Sequence, residues 1–300
     1  MAIHVSPTRV GWLLVLVVLA AAPRAQAAPY SFTQFVADLR ADPGRAAGYL
    51  GSCETLVTPG GEVRQPCTLT VADLGIPAGA TLAVTKAHGG ELPADASYED
   101  ALVVARVGKR VVATFRVLRV ERMVMVDGDL DFRPVVVQWS RLISDAELRS
   151  RAVAGTLPTP PPIKASVATP AFGSDTDAED WRVLVEGIGD VLRDGQDVRE
   201  FADRLTRGTI VFRATDPRPL TGARGARTMK AWRLPLRVVG GAVVAGGLDG
   251  AWAVVQASAR LSGTDRELRY TMLVVFTAGM TSGGGELVHA MPIISLGIAS

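Results

Sequence analysis

The chain has 300 residues, 48% of them hydrophobic and 21% charged, so it can build a sizeable core and is not a disordered polymer. Lys and Arg number 32 against 30 Asp and Glu. Arg9 and Arg24 lie in the N-terminal leader described next, and without them the charges balance, which argues against nucleic-acid binding.

Residues 1–27 read as a secretion signal. Arg9 precedes an apolar run from Val10 to Ala22, Pro23 breaks it, and Ala25-Gln26-Ala27 supplies the small residues a signal peptidase reads. The run has 13 residues, short of the ~20 that span a bilayer. The expectation is an exported chain, periplasmic or extracellular, with no transmembrane segment after cleavage.

Next, Ser31 to Leu39 has the spacing of a short helix. Ser31 and Gln34 fit a capping box, and Phe32, Phe35, Val36 and Leu39 share one face. Cys53 and Cys67, the two cysteines of the chain, flank Pro59-Gly60-Gly61. A three-residue hairpin loop with Gly61 left-handed pairs Thr58 with Glu62, and counting outward sets Cys53 opposite Cys67, close enough for a disulfide.

Strand-like runs follow at Thr68–Val71, Thr81–Thr85 and Leu102–Val107. His88, beside Gly89-Gly90, reads as a loop residue. From Val111 to Val117 the odd positions are apolar and from Leu118 to Val124 the even ones, which predicts a bulge near Val117. Asp127-Gly128 signals a hairpin returning through Leu130, Phe132 and Val135–Trp139.

Residues 152–173 hold five prolines and one charge, Lys164, and read as a linker between an N-terminal domain (28–151) and a C-terminal domain (174–300). The second domain opens with a helix carrying Trp181, Leu184, Val185, Ile188, Val191 and Leu192, capped by Thr176 and Glu179 and stopped at Asp194-Gly195. Gly187 and Gly189 within it point to a close approach to a sheet. A helix over Val198–Leu205 comes next. Strands are then expected at Thr209–Arg213, Ala231–Val239, Trp252–Leu261, Leu268–Phe276 and Glu286–Leu296. The predicted fold is α+β: two units, each an antiparallel sheet with one or two helices on one face. Phe35–Arg40 and Phe201–Leu205 look alike, but over too short a stretch to establish a duplication.

Catalytic signatures are scarce. The chain has no H-E-x-x-H, G-x-S-x-G, S-x-x-K or P-loop motif, and beyond the leader only His88 and His289. The reading therefore leans against an enzyme and implies no cofactor; a hydrolase would have to use paired carboxylates. Asp127, Asp129 and Asp131 alternate as in a calcium loop, but Phe132 stands where the loop needs glycine, so a solvated hairpin tip is favoured. Met123 with Met125, and His289 with Met291, sit two apart as soft-metal ligands do, a pattern more common as core filling.

Charge is unevenly spread. Residues 209–237 hold seven basic side chains against Asp216, and residues 174–203 hold ten acids against three arginines. The two stretches either neutralise each other or leave the glycine-rich loop Thr221–Lys230 free for an anion. In the second case Arg224, Arg227, Lys230 and Arg233 are the candidate contacts, with an anionic polymer or an acidic protein as partner. The functional expectation is a non-enzymatic binding or assembly module of a bacterial envelope. The alternatives are a secreted hydrolase and a subunit of a larger envelope assembly.

Overall fold

The computed structural model describes residues 31–42, 44–46, 53–67, 72–92, 96–126, 129–165, 174–193, 195, 197, 210–213, 215–221, 236–247, 250–261, 263–280 and 286–300. The leader lies outside them, as do 198–209 and 222–235.

Helix α1 spans Phe32–Ala41. Ser31 caps it by accepting from the Gln34 amide at 3.1 Å, but the Gln34 side chain turns to Asp38 Oδ1 (2.8 Å), so only half of the expected capping box forms. The four expected apolar residues are all buried against the first sheet.

That sheet consists of β1 (Thr55–Val57), β2 (Val63–Arg64), β3 (Thr81–Leu92), β4 (Ala96–Val107), β5 (Arg110–Val126) and β6 (Asp129–Arg141). Their order is β2-β1-β6-β5-β4-β3, antiparallel except where β1 lies parallel to β6. The hairpin β1–β2 has the expected register, Leu56 with Arg64 and Val57 with Val63. The Thr58 amide donates to Glu62 O at 2.9 Å, Gly61 has φ +75°, and the Cys53 and Cys67 sulfurs lie at bonding distance with Cα atoms 5.3 Å apart. A β-carbon on Gly61 would stand 2.5 Å from Thr271 Oγ1 and 2.9 Å from Pro160, so both the backbone angle and the space demand glycine. Replacing both cysteines by serine opens this loop and is expected to cost about 3 kcal/mol, a drop in Tm of roughly 6–12 °C by calorimetry. An unchanged Tm would show that the hairpin is held by its neighbours alone.

No bulge occurs at Val117. The register of β5 runs unbroken from Thr114 to Val120 against β4 and from Phe115 to Val120 against β6. The apparent phase change arises because Phe115 to Val120 are buried on both faces of the strand.

Helix α2 (Asp145–Ala154), capped by Ser144, and helix α3 (Asp175–Val191), capped by Ser174 rather than Thr176, cover the second sheet. That sheet holds β7 (Ile210–Arg213), β8 (Asp216–Leu220), β9 (Arg237–Gly247), β10 (Gly250–Arg260), β11 (Glu267–Met280) and β12 (Glu286–Ile298). Its order, β8-β7-β12-β11-β10-β9, repeats the first sheet shifted by six strands, down to the parallel pair β7–β12. Trp181, Leu184, Ile188 and Val191 share one core with Ala251, Ala253, Val255, Met272, Val274 and Phe276, as do Ile143, Leu148 and Ala152 from the chain before the proline-rich stretch. Gly189 has open space around it; the close approaches fall on the sheet instead, where Trp181 covers Gly246 and Leu192 covers Gly241.

The fold is thus α+β, two sheets each with helices on one face. The opposite faces pack on each other: Leu118, Val120 and Val136 of the first sheet meet Trp252, Val254, Leu273 and Val275 of the second. Polar bonds cross the same seam, from Arg122 Nη1 to Gly246 O (3.0 Å) and from Gln65 Nε2 to Val244 O (3.1 Å). The proline-rich strap enters it as well, where Pro161 O accepts from Gln256 Nε2 at 2.5 Å and Ile163 and Ala165 join the shared core. Among the described residues no helix is long and apolar enough to cross a membrane.

Candidate functional site

Strand β3 extends through His88-Gly89-Gly90, which the sequence reading placed in a loop, because Tyr98 of β4 lies against Gly90 where a β-carbon would stand 2.8 Å from its ring. The pairing sets His88 opposite Asp100 and Lys86 opposite Leu102. These residues point to the side occupied by the second sheet, whose edge hairpin, β7–β8, forms a facing wall. Between the two lies a cleft of about 420 Å³ lined by Lys86, His88, Tyr98, Phe212, Arg218 and Pro219, ending at Thr221.

An arginine fixes that wall. Arg116 of β5 is 2% exposed, and its Nη atoms donate to Arg213 O (3.3 Å), Asp216 O (3.1 Å) and Pro217 O (2.6 Å), three carbonyls of the β7–β8 turn. Its guanidinium also sits 4.9 Å over the Phe212 ring. Its counter-charge is Asp100, equally buried, with Oδ1 3.1 Å from Nε. Burial pushes the Asp100 carboxyl up to about 6 against the pull of Arg116 and His88, and burial likewise lowers Arg116. Within the turn, Asp216 pairs with Arg213 (2.5 Å) and accepts from the Arg218 amide (2.9 Å), which holds its carboxyl below the ordinary range.

A smaller cleft of about 280 Å³ is lined by Glu99, Glu121, Ser97 and Ala87, together with His88, Gly89 and Tyr98, which it shares with the first cleft. Arg119 pairs with both acids there, at 2.5 Å to Glu99 and 3.4 Å to Glu121, with its guanidinium 5.5 Å over the Phe32 ring. Burial raises the Glu99 carboxyl.

The candidate contacts Arg224, Arg227, Lys230 and Arg233 lie outside the described residues, whereas Thr221 lines the cleft. Asp127 also lies outside them. Asp129 and Asp131 fall on β6, and among the described residues no three His, Cys, Asp or Glu gather as metal ligands would. Three acids of α3 pair with nearby arginines: Glu179 and Glu186 with Arg182 of the same helix, and Asp190 with Arg193 just past its end. Asp197 meets Arg237 through a backbone bridge.

Sequence reasoning missed Lys86, His88, Tyr98 and Arg218. The glycine pair hid the strand that carries the first two, and Pro217 and Pro219 hid β8. The available signal was alternation across the glycines: Lys86, His88 and Gly90 share the side opposite Ala87 and Gly89.

No protein-family model matches the chain, and no curated protein matches it. A solved structure of nuclear transport factor 2 from Cryptosporidium parvum is similar over 44% of this chain and 99% of its own, at 10% identity and a TM-score of 0.27.

Proposed function

We propose that this chain is an exported, non-enzymatic binding module of a bacterial envelope that takes an anionic ligand in the cleft between β3 and β8. The observation that carries the reading is the convergence of Lys86, His88 and Arg218 from two different sheets on one concave space that also includes Thr221. Tyr98, Phe212 and Pro219 add flat apolar surface to those basic side chains, a mixture that suits an acidic polymer better than a bare inorganic ion. Export is supported by the leader and by the paired cysteines.

Assembly through open strand edges has less to support it, because the described edges are guarded. Strand β2 has two residues, β3 has a register shift beside Lys86, β8 has two prolines, and β9 has two register shifts. The paired-carboxylate alternative has Glu99 and Glu121 in one cleft, but Arg119 pairs with both of them.

The test is calorimetric titration of residues 28–300 with a dextran sulfate oligomer. The wild type is expected to bind with an affinity that falls as salt rises, and K86A/R218A to bind at least about tenfold more weakly with an unchanged Tm. The triple variant R224A/R227A/R233A is expected to weaken binding further. Equal affinity of all three proteins would overturn the assignment of the site.

A further inference from the structure

Behind the cleft lies a buried ion pair whose two halves are held unequally. Arg116 keeps three carbonyl oxygens and the Phe212 ring whatever the state of its acid. Asp100 has Arg116 as its nearest cation, and stands in register with His88 at the cleft floor. Facing this pair are Lys86 and His88 from β3, Tyr98 from β4, and Arg213 and Asp216 from the β7–β8 hairpin, with the exposed Arg218 paired to Asp216. Phe212, under the Arg116 guanidinium, is itself part of the cleft lining.

We propose that Asp100 is a proton-operated control on the anion cleft: ionised, it weakens binding at Lys86, His88 and Arg218, and protonated, it strengthens it. The inference rests on the anion-binding reading above. Lys86, Arg116, Arg213 and Arg218 carry four positive charges, and Asp100 and Asp216 two negative ones. A proton on Asp100 removes one of the negatives and leaves the Arg116 charge uncompensated one layer behind the ligand. Water does not screen that charge, because both residues are 2% exposed. The wall keeps its position, since the bonds from Arg116 to the turn do not pass through Asp100. The carboxyl titrates at about 6, within the range an exported protein meets. Coupling is reciprocal, so a bound anion must also draw a proton onto Asp100.

The experiment uses residues 28–300 with and without H88Q, which takes the imidazole out of the cleft, and a dextran sulfate oligomer, whose charge is constant over the range. Affinity is measured at about pH 5 and about pH 8 at fixed ionic strength, in buffers of different ionisation enthalpy. The expected result is about tenfold tighter binding at the lower pH. Near pH 6.5 binding is expected to take up part of a proton. Adding D100N should give tight binding at both pH values. Should D100N fail to fold, proton uptake by H88Q alone decides. Binding of H88Q with no pH dependence and no proton uptake would overturn the control while leaving the cleft assignment standing. Wild-type protein that binds at neither pH would overturn both.

Discussion

Replacing Arg116 with alanine is expected to destabilise the folded chain by about 3–5 kcal/mol at neutral pH, read as a lower urea midpoint. The loss has two sources: a carboxylate at Asp100 buried without its cation, and the carbonyls of Arg213, Asp216 and Pro217 stripped of their donor. Acid should soften the effect. The Asp100 carboxyl is raised from 3.8 to about 6 by folding, so the stability it contributes is fully present below about 4 and is lost as pH rises through about 6. Without Arg116 the carboxyl rises further, and the variant escapes much of its penalty near pH 5 by holding a proton. Replacing both partners, as D100L/R116M, should recover a large part of the loss, because two apolar side chains leave no charge unpaired. A loss below about 1 kcal/mol for R116A would mean that the pair is solvated like a surface salt bridge.

The Arg116 substitution also bears on binding, since this side chain ties the β7–β8 wall to the first sheet. The D100L/R116M protein, more stable than R116A but equally without the tie, is the informative one: weakened anion binding in it would separate the positioning of the wall from the loss of stability caused by an unpaired charge.

Much of the fold was legible because it rests on short-range chemistry. The hairpin at Cys53–Cys67 follows from one loop type and a count of residues. The buried faces of α1 and α3 follow from helical spacing. What escaped had tertiary causes. Arg116 and Arg119 are charged residues inside a strand, which alternation alone reads as solvent-facing; their burial depends on Asp100, Glu99 and a hairpin about a hundred residues away. The repeat of strand order between the sheets left no mark in the sequence that could establish it, because a shared topology needs only matched patterns of burial. Helix α2 was missed because Leu148 and Ala152 are its only buried residues, too few for a visible apolar stripe.

Trp181→Ala is expected to cost about 3–5 kcal/mol. Trp181 is 3% exposed in the core between α3 and the second sheet, and β10 receives that helix on alanines at 251, 253, 257 and 259. The alanines under the helix are too small to fill the space a lost indole vacates, so the cavity term stays large. Gly246 supplies the complementary test. A β-carbon there would lie 2.7 Å from the indole, and its own carbonyl takes the bond from Arg122 across the seam between sheets. Gly246→Ala alone is therefore expected to cost about 1–3 kcal/mol through overpacking. With Trp181 already alanine, the conflict with the indole is gone and the added methyl group partly fills the vacancy, while its approach to the Gly250 carbonyl oxygen at 2.8 Å remains in both backgrounds. The two changes together should then destabilise less than their sum by about 1 kcal/mol or more in a double-mutant cycle measured by urea unfolding. Simple additivity would separate the two sites and sink the claim that helix α3 is seated on the sheet through this contact.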